Sequence, residues 1–459
     1  WRIPGASVAI VKDDRIVYVK AYGTKEIGRN DPVTPDTLFH IGSTTKAFTT
    51  TAMAMLVDEK KMAWDDAVHK YVEYFRLADP CADSLVTLRD ITSHRTGLSR
   101  HDELWDNSPS GREQIIRSIG AVKLTKPFRS AYQYQNIMFL TAGEAVGAAA
   151  KMPWETFVRM RIFEPLGMSK TQTSIAGWNA SEHALGYRWN KTTYRAVPQT
   201  LLDDDNIAPA GAIKSSARDM AQWVRFQLAG GIAGGKRLVS SEALDETKTP
   251  QMVIRLEGMS RDANPETNLE AYGLGWTIQD YAGALLVSHG GALNGFRAHV
   301  DLLPAQHAGF VVLDNLGRSI ALVAIRNSLL DLLLGHPTRD WNAYYLAIEK
   351  TADDRDEAKR REREATRHLG TKPSRDLADY AGDYDSIAYG TAHIALENGA
   401  LLLRWNRLAV PLNHFHFDTF SIRSEADDID EHITFRLGAD GDVKTMTFFE
   451  EEFVKKPTR

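Results

Sequence analysis

The order of pattern types along the chain constrains its fold more than any single motif does. Strand-type runs stand at both ends of the first 335 or so residues, and helical patterns fill the middle. Near the start, Ala6–Tyr18 (ASVAIVKDDRIVY) sets two apolar runs around a Lys-Asp-Asp-Arg turn, which predicts a hairpin. Much later, Gly273–Gln279, Ala284–His289, Gly295–Leu303 and Ala308–Asn315 are short apolar runs broken by Gly, Asn and Pro, and each reads as a strand. Between them, Leu38–Met62 holds the stretch KAFTTTAMAMLVDEKKM, which lacks Gly and Pro and reads as a buried helix. Helical patterns alternate with loops from about Val86 to Val224. Asp219–Leu228 has helical spacing behind an Asp cap, and Ser319–Leu334 is helical again. Strands at both ends with helices between them fit an α/β (α+β) domain whose sheet is assembled from both ends of the chain and flanked by helices.

Past this region the composition shifts. Glu349–Asp376 (EKTADDRDEAKRREREATRHLGTKPSRD) mixes both charge signs and predicts a solvated helical linker. Beyond it, HIALEN, LLLRW, DTFSIR, ITFRL and VKTMTFF are strand-like runs at turn-marked intervals, which predicts a small separate β-domain, a barrel or sandwich. The expected division is residues 1–348, a charged linker over 349–376, and a β-domain over 377–459.

Composition removes several function classes. Lys plus Arg is 55 and Asp plus Glu is 60, giving a net charge of −5, too balanced for nucleic acid or an anionic membrane surface as a general partner. No run approaches the roughly 18 apolar residues of a membrane span. Cys81 is the single cysteine, so an intramolecular disulfide is impossible. The chain opens at Trp1 without Met, as a chain would whose leader was removed before this point.

Chemistry concentrates at HIGSTTKAFTT. Ser43 stands at the mouth of the predicted helix, and it is the one serine with a lysine, Lys46, three places later. Residues i and i+3 share a helix face, so Oγ and Nζ can meet. A serine hydroxyl is a poor nucleophile until a base takes its proton, and a lysine can be that base only when burial lowers its pKa. The alternative is a capping serine beside a solvated lysine, but the surrounding residues are apolar, an odd setting for a purely structural lysine.

Here the chain resembles the penicillin-recognising serine hydrolases, within them the class C β-lactamase, D-aminopeptidase and esterase group. Three motifs define that superfamily in order, SxxK, YxN or SxN, and KTG or HxG. They correspond here to Ser43-Thr44-Thr45-Lys46, Tyr134-Gln135-Asn136 and His289-Gly290-Gly291. IPGASVAIV, TLRDITSHRTGLSRH, IFEPLGMSKT, PAGAIKSSARDMAQW and YGLGW also look like landmarks of the group, over roughly residues 1–335. The tail, with YAGDYDS, ENGALLL, PLNHFHFDTF and FRLGADGDV, is similar to the lipocalin-like β-barrel often appended to it.

The resemblance implies roles. Ser43 would attack a carbonyl, and Lys46 and Tyr134 would share the base role, with the charge of Lys46 lowering the Tyr134 pKa. Asn136 would hold Lys46 and the substrate amide. The amides of Ser43 and Ala292 would form an oxyanion hole, and Gly290 and Gly291 would let their strand approach the substrate. His289 stands where β-lactamases usually carry a lysine for the substrate carboxylate. That favours peptides trimmed from the amino end, amides or esters, with D-amino-acid-containing peptides foremost. β-Lactamase and short-chain carboxylesterase are the runners-up, and a non-catalytic penicillin-binding-type protein is the alternative of another class. The resemblance further implies a small-molecule or peptide substrate, no cofactor or metal, a periplasmic or secreted setting, and homo-oligomers through the barrel.

Two clusters are set aside. His414-Phe415-His416-Phe417-Asp418, read as one strand, would put both histidines and Asp418 on one face, but aromatic and polar alternation on a barrel strand explains it equally well. His101-Asp102-Glu103 reads as a surface loop on the rim of the cleft.

Overall fold

The computed structural model describes residues 1–176, 182–191, 193–201, 203–317, 320–337, 339–424 and 429–457. They divide into two compact units. One comprises Trp1–Asp102 and Lys123–Glu349, and the other joins Glu103–Val122 to the residues from Lys350 onward.

The first unit is built on an eight-stranded antiparallel sheet. Its strands are β1 (Gly5–Lys12), β2 (Arg15–Gly23), β3 (Met252–Ile254), β4 (Glu270–Tyr272), β5 (Thr277–Tyr281), β6 (Ala284–Leu293), β7 (Phe296–Leu303) and β8 (Ala308–Asp314). They lie in the order β2-β1-β8-β7-β6-β5-β4-β3, so the chain ends do meet, with Ala6 opposite Asp314. The β1–β2 turn falls at Asp13-Asp14, both with positive φ. Asp tolerates that conformation, and it matches the twist of a tight hairpin.

The expected strand over Gly273–Gln279 begins as a turn, and the strand itself, β5, starts only at Thr277. Gly275 has a φ of +80°, and a Cβ there would lie 2.7 Å from Thr50 Oγ1 and 3.0 Å from the Lys46 carbonyl. The turn rests directly on the helix that carries Lys46, so backbone contact overrides the apolar pattern.

That helix is α1 (Thr45–Asp58), preceded by a 3₁₀ turn at Gly42–Thr44. Its neighbours near the site are α2 (Asn136–Ala150) and the short α3 (Ala208–Gly211). Helix α4 (Ala217–Leu228) packs on β1 and β8. It begins two residues before Asp219, with Ser216 as the cap, its side chain accepting from the Asp219 amide. Asp219 instead accepts from Lys170 N and Thr171 Oγ1.

Helix α5 (Ala321–Leu334) and the first residues of α6 (Trp341–Ala365) complete the unit's core. Val8, Ile10, Leu286, Phe310 and Val312 of the sheet pack with Leu322 and Leu330 of α5 and with Trp341 and Tyr345 of α6. Buried Asp331 accepts from Tyr281 Oη at 2.8 Å and Trp341 Nε1 at 2.6 Å, so each of its oxygens has a donor. Ser319, the expected first residue of α5, lies outside the described residues.

The second unit holds a closed barrel of eight strands, β9 (Gly382–Ser386), β10 (Gly390–Glu397), β11 (Ala400–Trp405), β12 (Leu408–His416), β13 (Thr419–Ser424), β14 (Ile429–Leu437), β15 (Val443–Phe448) and β16 (Glu451–Lys455). Tyr384 opposite Lys455 closes the ring, which leaves no free edge. The strands alternate as the sequence suggests, with Leu401, Leu403 and Trp405 buried on β11 and Arg404 exposed. Trp405 sits edge-on to Phe448 and Phe453.

The HFHFD segment is not one strand. The chain turns at Phe417, which has a φ of +44°, and Asp418 accepts from Ser374 N and Oγ and from Tyr380 Oη. The charged segment before the barrel is solvated, with no residue of 349–376 buried, and it is tied down at a few points. Arg363 binds Asp430, and Arg367 Nε donates to the Phe415 carbonyl at 2.9 Å. In the same unit, Arg407 N donates to the Asn107 carbonyl at 3.0 Å.

Candidate active site

Ser43 occupies the 3₁₀ turn that feeds α1, and Lys46 lies in the first turn of that helix with its side chain fully buried. Lys46 Nζ is 3.1 Å from Ser43 Oγ, 2.7 Å from Asn136 Oδ1 and 2.9 Å from the Ala210 carbonyl oxygen. Burial drives the Lys46 pKa well below the ordinary lysine value; the nearby Arg100 adds to this and Asp102 opposes it.

The three partners have unequal abilities. The Ala210 carbonyl can only accept. Asn136 Nδ2 donates to Asp102 Oδ1 at 2.9 Å, which fixes the amide so that its oxygen faces the lysine. A neutral amine has two hydrogens and one lone pair. Asn136 and Ala210 take the hydrogens, and the lone pair is left for the Ser43 hydroxyl.

Asp102 is therefore a site residue and not part of an outward-facing rim. It also pairs with Arg100 Nε. Sequence reading passed over both, because an Arg-His-Asp run before a turn looks like ordinary loop chemistry. Asn136 begins α2, and Gln135 caps that helix by accepting from Ile137 N.

Tyr134 is half-buried, with its ring 4.7 Å from Lys46 Nζ, and its phenol is near enough to Ser43 to feel the serine hydroxyl. The expectation that lysine charge lowers the Tyr134 pKa does not hold. Burial raises it, and the smaller effects of Ser43 and Arg100 do not reverse that. The physical reason is that burial penalises the phenolate more than the Ser43 hydroxyl and the Arg100 charge favour it. Tyr134 is held by His94, another residue missed as an individual. The His94 ring lies 4.2 Å from that of Tyr134, and its Nδ1 accepts from the Gln135 amide at 3.1 Å. His94 is fully buried and kept neutral, mainly by desolvation.

His289, on β6, is tied at both nitrogens. Its pKa is pushed down to about 3, chiefly by burial and then by Lys46. The neutral ring donates from Nδ1 to the Gly290 carbonyl at 2.6 Å, and Nε2 accepts from Tyr272 Oη at 2.9 Å. Tyr272 belongs to the YGLGW stretch that rests on α1.

The two glycines that follow differ. A Cβ on Gly291 would lie 1.9 Å from the Ile41 carbonyl oxygen, so the turn bearing Ser43 demands glycine there. A Cβ on Gly290 would meet nothing closer than His299 Nε2 at 3.3 Å. The tight seam brings the Ala292 amide beside the Ser43 turn, where a Cβ on Gly42 would be 2.5 Å from it. All eight residues singled out by the motifs thus come from the first unit, on α1, α2, β6 and their leading turns.

Comparison with known proteins agrees with this geometry. The beta-lactamase family model matches residues 1–334. The chain belongs to the beta-lactamase family. Its members are serine hydrolases of the penicillin-binding-protein kind, and the antiparallel sheet flanked by helices is their fold. A second model, a domain of unknown function (DUF3471), matches residues 366–459, the barrel region. An unguisins hydrolase of Aspergillus campestris is 32% identical over 373 residues, 76% of this chain and 66% of that protein. Protein flp of Staphylococcus aureus is 26% identical over 318 residues, 68% of this chain and 60% of that protein. The chain thus spans less than two thirds of the length of either relative. The structure of the octameric penicillin-binding protein homologue from Pyrococcus abyssi superimposes with a TM-score of 0.62 at 23% identity, over 99% of this chain and 96% of that one.

Proposed function

We propose that this chain hydrolyses small peptides, amides or esters through an acyl-enzyme on Ser43, with a preference for D-amino-acid-containing peptides cut at the amino end. The observation that carries the reading is the buried Lys46 amine, whose hydrogens are taken by Asn136 and Ala210 and whose lone pair faces Ser43. In acylation the Ser43 Oγ–carbon bond forms, the serine proton passes to Lys46, and the bond to the leaving group breaks. Tyr134, kept protonated by its raised pKa, protonates the leaving group and recovers a proton from Lys46. Among the alternatives left by the motifs, this assigns the acylation base to Lys46. The Ser43 and Ala292 amides steady the oxyanion. Water then attacks the acyl carbon, releases the acid and returns the proton to Ser43.

The neutral, doubly hydrogen-bonded His289 supports a substrate without a carboxylate at that strand, against the β-lactamase reading. The relative named as an unguisins hydrolase supports turnover over mere ligand capture. Hydrolysis of p-nitrophenyl acetate by the wild type and by Ser43→Ala tests the reading. The variant should fall to the uncatalysed rate, and equal rates favour the non-catalytic binding protein. D- and L-alanyl p-nitroanilides then test stereochemistry, and the D preference fails if the L form is cleaved as fast. An octameric neighbour in structure is compatible with an oligomer of this chain, for which the barrel is the proposed contact, and light scattering on the full chain would refute it by returning a monomer mass.

A further inference from the structure

With His289 held neutral, β6 offers no cation to a substrate, yet a cation still faces the reacting groups. Arg100 is exposed, its side chain retaining 60% of its accessible surface, and its guanidinium carbon lies 5.2 Å from the centre of the Tyr134 ring. Only one edge of the fork is engaged. Nε donates to Asp102 Oδ2, and the terminal nitrogens have no hydrogen-bond partner among the described residues. Asp102 is the carboxylate that orients Asn136, so the pair is anchored to the amide beside Lys46. Stacking on Tyr134 and pairing with Asp102 hold the guanidinium with its open edge outward.

We propose that Arg100 is a specificity-determining residue whose free guanidinium edge receives a carboxylate carried on the substrate's leaving group. This deepens the proposed reaction and rests on Tyr134 being the group that protonates the leaving atom. A guanidinium fork matches a carboxylate in two parallel hydrogen bonds, which an uncharged amide cannot reproduce. Because the guanidinium lies 5.2 Å from the centre of the ring that carries the proton donor, the carboxylate belongs close to the scissile bond. The class of substrate is therefore a short acylated amino acid or dipeptide in which the released residue bears the free carboxyl group. The acyl side, held near β6, needs no charge.

The test compares two acetate esters, of 4-hydroxybenzoate and of 4-hydroxybenzamide. Both give the same acetyl-enzyme on Ser43 and differ only in the charge of the leaving phenol. In Arg100→Met, the ratio of kcat/KM for the anionic over the neutral ester should fall about tenfold or more, the usual weight of a charge-assisted hydrogen bond. Arg100→Lys, which keeps the charge and loses the fork, should fall between the two. An unchanged ratio, with both esters slowed alike, overturns the proposal and leaves Arg100 acting only through Tyr134, Asp102 and Lys46. Failure of the underlying reaction looks different, since Ser43→Ala would then match the wild type on both esters. In that event, or if neither ester is turned over, calorimetric binding of 4-hydroxybenzoate and 4-hydroxybenzamide to wild type and Arg100→Met decides the matter. Loss of the anion preference in the variant supports the carboxylate site, and its absence from the wild type refutes it.

Discussion

Lys46 and His289 are both basic, both buried and both pushed toward the neutral form by desolvation, yet the structure equips them for opposite duties. Lys46 meets two obligate acceptors and one hydroxyl, so its lone pair has a proton to take. His289 meets one obligate acceptor and one phenol, and its lone pair is already filled by Tyr272. Burial makes a neutral base; the hydrogen-bonding capacities of the neighbours decide whether that base is free to act.

The contrast can be broken most severely at the two bases themselves. Lys46→Met should lower kcat/KM for p-nitrophenyl acetate by about 10³ to 10⁴, the upper range for a general base, while His289→Asn should cost less than about tenfold. Equal losses would erase the distinction. The next effect concerns the seam beneath His289. Gly291→Ala forces its strand off the Ile41 carbonyl and should cost about 10² to 10³ in kcat, as loss of an oxyanion donor does, whereas Gly290→Ala should stay within a few-fold. If the two alanine variants behave alike, the close approach at Gly291 does not set the oxyanion hole.

A smaller and more diagnostic effect lies at Asp102. Asp102→Asn frees the Asn136 amide to reverse and should cost about tenfold to a hundredfold. The pH profile carries the sign. Lys46 works only unprotonated, so kcat/KM is present above its pKa and lost as pH falls through it. Asp102 holds that pKa up and Arg100 holds it down. The acid limb should therefore move to lower pH in Asp102→Asn and to higher pH in Arg100→Met, and shifts in the same direction would contradict the assignment. Tyr272→Phe should leave activity nearly intact while costing about 1–3 kcal/mol of stability in denaturant unfolding, because buried His289 Nε2 is left unsatisfied. A strong loss of activity there would mean that the phenol, and not Lys46 alone, serves the reaction.

Much of this site was legible in the sequence because its main groups sit at fixed spacings on regular elements. Ser43 and Lys46 share a helix face, Tyr134 and Asn136 flank a helix start, and His289 to Ala292 follow one another on a strand. What escaped reading depends on tertiary approach. Asp102 and Arg100 lie in a loop whose inward turn no local pattern announces. Ala210 acts through a backbone carbonyl, which has no side-chain signature. Tyr272 reaches His289 from a strand that ends at a turn, and the close approach of that turn to α1 at Gly275 is not announced by an apolar run. In the barrel, alternation revealed the strands, whereas the reversal at Phe417 was hidden by an unbroken aromatic and histidine pattern.

The pairing of Ala6 with Asp314 sets a schedule for the growing chain. β1 has its hairpin partner β2 within moments of emerging, but its other edge waits until β8 is made. Ser43, the proposed nucleophile, is synthesised early, and Ala292, its proposed oxyanion partner, late. Contacts so distant in sequence form slowly, since the intervening chain must be closed before they give any return. On the proposed reaction, a nascent or truncated chain therefore carries the serine without the strand meant to polarise its target, and hydrolytic competence would arrive only once the last strands of the sheet have been laid down.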